Sequence, residues 1–205
     1  MYSNHISGHL VDLGCGESSL KEYFLQYADS YTGVDWAGTL HNSKADVLSN
    51  LNERIDLGNE TADTLISMSV IEHLCEPQVF LNESYRILKK NGYMILQVPW
   101  QWHIHEAPDD YFRYTIYGLK YMFKKAGFKQ VHVEAQTGLF TTSIIKMNYF
   151  IARFIRGPIY LRWLLTCAAI PIWTIGQLVA PYLDKIDGNW EAESQSYIVI
   201  ARKIN

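Results

Sequence analysis

Side chains able to move protons or hold ions crowd into one short stretch, Pro99–Thr115, PWQWHIHEAPDDYFRYT. His103 and His105 are bases that work near neutral pH. Arg113 can grip a phosphate or carboxylate at two points. Glu106, Asp110 and Tyr111 complete a set suited to binding a polar substrate. A plainer reading has Asp109 or Asp110 pairing with Arg113 to shape the loop, and both can hold together. His103, His105 and Glu106 also resemble metal ligands, but a His-x-His-Glu run with no further ligand is incomplete, so no metal is assigned. A third imidazole, His73, follows Glu72 in SVIEHL. It is read either as a base or as a residue that fixes its own loop.

These groups need a reaction partner, and a second stretch supplies it. Leu10–Ser19, LVDLGCGESS, reads as a buried strand running into a glycine turn that opens a helix. Gly14 and Gly16 permit the dihedrals of the turn and the close approach of a ligand. A dinucleotide fingerprint needs a third glycine at position 19, where Ser19 stands. Asp12 would repel a pyrophosphate and attract an ammonium. About 20 residues on, Tyr31–Asp35 ends in the acid expected to hold the ribose hydroxyls. The turn therefore suits a ligand with an adenosine end, a positive end and no phosphate. S-adenosylmethionine (SAM) is such a ligand.

The segments VDLGCGESS, TGVDW, ADVLSNL, ADTLISMSVIEHLCEP and RILKKNGYMILQVP, in that order, resemble class I SAM-dependent methyltransferases of the small-molecule type. The resemblance runs from His9 to about Glu134 and resumes at the last strand. It implies an α/β Rossmann-like three-layer sandwich, with a seven-stranded, mostly parallel sheet, an antiparallel last strand and an apolar helical insertion before that strand. It implies that Asp12, Gly14, Cys15 and Gly16 hold the methionine end of SAM and Asp35 the ribose. Trp36 then lies along the adenine, Asp46 and Val47 meet the adenine edge, and Ser67 and Met68 close the pocket from the next strand. Ser18 departs from a third glycine common in the family. Ser67-Met68-Ser69-Val70 lacks the signatures of base-amino and cytosine-C5 methylators, so nucleic acid is not the substrate. The HEAPDDYFRYT loop resembles enzymes of bacterial surface-polysaccharide and lipid-linked sugar pathways. The implied reaction is O-methylation of a small-molecule, glycan or lipid-linked acceptor, with His105, His103 and His73, in that order, as candidate bases. A non-catalytic SAM-binding or membrane-docked accessory protein is the alternative. A nicotinamide dehydrogenase is opposed by Asp12 and Ser19.

The 205 residues suit one domain, 1–205, with a helical insertion at about 138–190. A net charge of −3 gives no reason to expect a polyanionic partner. Cys15, Cys75 and Cys167 are scattered, with no disulfide framework, and the cytoplasm is the natural compartment. Family members carry helices before the first strand that close over SAM; here residues 1–8 are short and polar. The cover then comes from elsewhere, or the cleft is open, or the chain is a shortened form.

Periodicity places the positioning elements. Leu20, Tyr23, Phe24 and Tyr27 predict a helix packed on the sheet. Strands are predicted at Tyr31–Asp35, Asp63–Val70, Tyr93–Val98, from Phe128 through Val133, and at Tyr197–Ala201. A helix starts at Pro77, with Lys89 and Lys90 complementing its dipole and Asn91-Gly92 ending it. Another is capped by Thr115 and ended by Gly127. Trp163–Leu183 carries no charge and is long enough to cross a bilayer. Pro171, Gly176 and Pro181 interrupt it, and the flanking strands must return to one sheet, which opposes a single crossing. The segment 159–183 is read as a cover over the pocket, a homodimer face, or a peripheral contact with the inner face of the membrane.

Overall fold

The structure is a computed structural model that describes residues 2–38 and 42–204. The chain divides into two compact units, residues 1–134 with 197–205, and residues 135–196.

The first unit is built on a seven-stranded sheet. Its strands are β1 (His9–Leu13), β2 (Ser30–Asp35), β3 (Val47–Leu48), β4 (Ala62–Met68), β5 (Leu88–Pro99), β6 (Gln130–Ala135) and β7 (Ser196–Arg202). Their order is β3-β2-β1-β4-β5-β7-β6. β1 is parallel to both β2 and β4, with Asp12 level with Gly33 on one side and Ile66 on the other. Strands buried on both faces read as continuous apolar runs, and Leu10, Val11, Leu13, Leu65 and Ile66 are fully buried. The carboxyl ends of β1, β2, β4 and β5 therefore meet at one edge, where open α/β sheets bind ligands. This is the mostly parallel Rossmann-like arrangement implied by the sequence, with the last strands antiparallel.

Helices α1 (Lys21–Phe24), α2 (Pro77–Ile87) and α3 (Ile116–Ala126) belong to the same unit. α3 follows expectation. The Thr115 hydroxyl accepts from the Gly118 N–H at 3.1 Å, and Gly127 ends the helix with φ 112°. α1 does not. It is a single turn in which only Phe24 is buried, while Leu20, Tyr23 and Tyr27 stay exposed. The end of α2 is also corrected. The helix stops at Ile87, and Lys89 and Lys90 lie in β5. Lys203, buried at the far end of the chain, supplies the cation instead. Its Nζ donates to the carbonyls of Tyr85 (2.9 Å) and Leu88 (2.7 Å). Lys89 turns to Asp63 at 2.8 Å.

The second unit is a helical pair, α4 (Leu139–Ala152) and α5 (Ile159–Asp184), followed by a 3-10 turn at Trp190–Glu193. Asp184 holds its entry and exit together. One carboxylate oxygen accepts from Gly138 N–H (2.9 Å) and the other from Phe140 N–H (2.8 Å) and Thr141 N–H (3.2 Å). These are donors that a helix N-terminus leaves unpaired. Burial raises the Asp184 pKa, but the donors from Thr141, Gly138 and Phe140 hold it below the usual carboxylate value. Gly176 of α5 lets Ile144 of α4 come close; a Cβ there would lie 3.3 Å from the Ile144 side chain.

Candidate functional site

A cleft of about 660 Å³ opens at the carboxyl edge of the sheet. Its floor is the turn after β1. Gly14 and Cys15 donate their N–H groups to the Val34 carbonyl, at 2.8 and 3.1 Å. Gly14 has φ 85° and Gly16 φ 51°. A side chain at Gly14 would strike Val70, whereas the space above Gly16 is empty. Ser18 also takes a positive φ, 54°. That dihedral is one glycine adopts most readily, in line with the glycine that the resemblance implies there.

Asp35, at the end of β2, ties the turn to the next strand. Its Oδ2 accepts from Gly16 N–H at 2.9 Å and its Oδ1 from Trp36 N–H at 2.8 Å. The carboxylate lines the cleft and keeps acceptor capacity for a diol. Trp36 is 44% exposed and presents its ring to the same space. Cys15 and Met68 line it too, and burial pushes the Cys15 thiol pKa up.

Other predicted donor-binding residues stand behind the wall rather than in it. Asp12 is buried and accepts from the Tyr31 hydroxyl at 2.8 Å. Burial lifts its pKa to about 6; the Tyr31 bond opposes the shift and Asp35 adds to it. Ser67 donates its hydroxyl to the Leu13 carbonyl at 2.8 Å, joining β4 to β1. Asp46 clasps β2, since its carboxylate and its N–H both bond Gly33, each at 2.8 Å. Val47 is paired with Val34 at the sheet edge. These four therefore shape the pocket rather than line it.

The same cleft is lined by His73, Glu106, Asp109 and Tyr111. Of the three candidate imidazoles, only His73 lines it. The 3-10 turn Ile71–His73 and the loop after β5 are laced together. Tyr111 N–H and Phe112 N–H both reach the Glu72 carbonyl, at 2.9 and 3.2 Å, and the Tyr114 hydroxyl donates to the Ile71 carbonyl at 3.1 Å. His73 Nδ1 lies 2.6 Å from the Asp109 carbonyl, which can only accept. Nδ1 therefore carries the proton and Nε2 is the basic nitrogen.

His105 sits beside His73, edge to face, with ring centres 4.8 Å apart. It belongs to a support cluster. Asp110, 2% exposed at its side chain, accepts from His105 N–H at 2.9 Å and grips Arg113 at two points, 2.6 and 2.7 Å. The Arg113 bond holds Asp110 well below the usual carboxylate pKa range. Arg113 also donates to the carbonyls of His103 and Phe112. It shapes the loop through both terminal nitrogens, while its buried Nε has no partner among the described residues. Asp110 is likewise structural, and His103 does not line the cleft.

Glu72 was not singled out by sequence as a site residue. It is completely buried, and neither carboxylate oxygen has a hydrogen-bond partner among the described residues. Burial drives its pKa up to about 7, with its own backbone N–H and Arg113 pulling the other way. Its Oε1 lies 3.8 Å from His73 Nε2, and Glu106 Oε2 lies 3.9 Å from the same nitrogen. Ligand atoms of Glu72, His73 and His105 fall within 4.8 Å of one another, a different grouping from His103, His105 and Glu106. Ser69, Asn50, Asn52 and Val70 also line the cleft unforeseen. Ser69 has φ 54°, and the only sequence hint was its place at the end of β4.

The comparisons agree with this geometry. Residues 11–96 match the family model of a methyltransferase domain. The ubiquinone biosynthesis O-methyltransferase of Rhodopseudomonas palustris is 32% identical over 104 residues, which are 45% of this chain and 41% of that one. The chain spans about two fifths of the length of the curated relatives it matches. A SAM-dependent methyltransferase from Archaeoglobus fulgidus shares the fold with a TM-score of 0.63 at 16% identity, over 98% of this chain and 90% of that one. So does phosphoethanolamine N-methyltransferase 2 of Haemonchus contortus in complex with SAM, with a TM-score of 0.60 at 15% identity, over 97% and 49%. Residues 11–96 are thus similar to a methyltransferase domain, and the chain shares the fold of SAM-dependent methyltransferases. The positive-φ glycine floor, the Asp35 carboxylate and the Trp36 face are the features of the cleft that fit SAM.

Proposed function

We propose that the protein transfers a methyl group to a hydroxyl of a small-molecule acceptor, with a glycan or a lipid-linked molecule as the class. The observation that carries this reading is the cleft itself. The glycine turn, Asp35 and Trp36 line it together with the imidazole of His73, whose Nδ1 faces the Asp109 carbonyl. The names of the curated relatives support oxygen as the acceptor atom.

Asp35 holds the ribose, Trp36 lies along the adenine, and the floor at Gly14–Gly16 receives the methionine end. The buried Asp12 contributes negative charge from behind that floor. Bound there, SAM supplies a methyl group on a sulfonium that is already an activated leaving group. The chain aligns the acceptor with it, which removes most of the barrier for such a displacement. His73 Nε2 would take the acceptor hydroxyl's proton, leaving the oxygen to accept the methyl group that SAM would supply from its sulfonium. The resulting imidazolium is stabilised by Glu106 and, when ionised, by Glu72. Tyr111 and Asp109 border the acceptor. The three cysteines are unbridged, which supports work in the cytoplasm.

The test is calorimetric binding of SAM against NAD, followed by turnover on hydroxylated glycans and lipid-linked sugars. SAM binding with NAD excluded, and a product heavier by one methylene, is the expected result. SAM binding without turnover on any hydroxyl acceptor overturns the O-methylation reading.

A further inference from the structure

The second unit leaves an apolar surface bare. Along α5, Tyr160, Trp163, Ile172, Leu178 and Tyr182 are each between 66% and 86% exposed, and only Ala180 and Asp184 are buried. On α4, Met147 and Phe150 are more than half exposed. Contiguous apolar surface on this scale marks an interaction site.

Length and topology limit what can cover it. β6 and β7 belong to one sheet, so the chain between them must re-emerge on the side it entered. α5, with 26 residues, is about 39 Å long, but α4 has only 14 and is about 21 Å long. A bilayer core is about 30 Å thick, so the pair cannot make the two crossings required. A re-entrant hairpin would carry Arg153, Arg156 and Arg162, at the connection between the helices, into hydrocarbon. The remaining arrangement is parallel to the surface, with arginines and aromatics at headgroup level.

Charge selects the lipid. Residues 139–183 contain Lys146, Arg153, Arg156 and Arg162 and no acid. Asp187, Glu191 and Glu193 all follow the end of α5. A twofold pair would set one acid-free surface against its own copy.

We propose that α4 and α5 lie in the plane of an anionic membrane leaflet, with their apolar sides in the acyl boundary and Lys146, Arg153, Arg156 and Arg162 against lipid phosphates. This goes beyond the methylation reading and holds whichever acceptor is used.

The full chain is floated with phosphatidylcholine vesicles, with and without 30 mol % phosphatidylglycerol. Binding should require phosphatidylglycerol, and brominated acyl chains should quench tryptophan fluorescence. Binding should weaken as salt is raised. The R153E/R156E/R162E variant should lose at least about tenfold in partitioning, with SAM affinity and circular dichroism unchanged. Oriented circular dichroism should place the helices parallel to the surface. Equal association with both vesicle types, no association at low salt, or a micromolar dimer that shields the tryptophans without lipid overturns the proposal.

Discussion

His73 Nδ1 stands 2.6 Å from the carbonyl oxygen of Asp109, 36 residues further along the chain. One hydrogen bond thus fixes both the tautomer of an imidazole and the position of the loop that walls the acceptor end. Replacing His73 with Ala should lower kcat by about 10²- to 10⁴-fold, the usual contribution of a positioned base. The calorimetric Kd for SAM should stay within about twofold. A parallel fall in SAM affinity would assign the residue to loop support instead.

Glu72 makes stability depend on pH. Its folded pKa, about 7, is above the ordinary value of 4.5, so the folded state holds the proton more tightly. The resulting stabilisation is full below about pH 4.5 and is lost as pH rises through 7. Across that window the loss is about 3 kcal/mol. Glu72→Gln should flatten this part of the urea-stability profile, and an unaltered slope would remove Glu72 as its source.

Asp35 serves the turn and the ligand at once. Asp35→Ala removes the acceptor for Gly16 N–H together with the ribose partner, and should weaken SAM binding by roughly 10- to 100-fold. Titration calorimetry of S-adenosylhomocysteine measures it, and an unchanged Kd refutes the ribose assignment.

Arg113→Ala leaves Asp110 buried without its cation. That should cost about 3 kcal/mol in denaturant unfolding. If Arg113 gripped a substrate anion instead, KM would rise with the unfolding midpoint intact.

Some of this was legible from local pattern. The glycine turn, the strand that ends at Asp35 and the Thr115 cap each depend on residues within a few positions, and the structure has each of them where the pattern put it. Misreadings came where partners are far apart in sequence. Lys89-Lys90-Asn91-Gly92 looks like a helix end, yet Asn91 N–H bonds the Lys203 carbonyl at 2.7 Å and draws the segment into β5. Leu20, Tyr23 and Tyr27 have helical spacing, but a one-turn helix gives them no buried face. The place of the candidate histidines was likewise out of reach of local pattern. Which imidazole reaches the cleft depends on how Asp110 and Arg113 fold the loop, and that turns His105 behind His73.

Asp184 meets Gly138 after a detour of 46 residues, and the Thr142 hydroxyl meets the Glu193 carbonyl at 3.0 Å beside it. The excursion thus begins and finishes at the same spot. Beyond that stapled base, lengthening it costs little chain entropy, since closure grows only with the logarithm of loop size. Evolution could therefore enlarge, trim or exchange the helical pair while β6 and β7 kept their places, as one changes the attachment on a tool without recutting the handle.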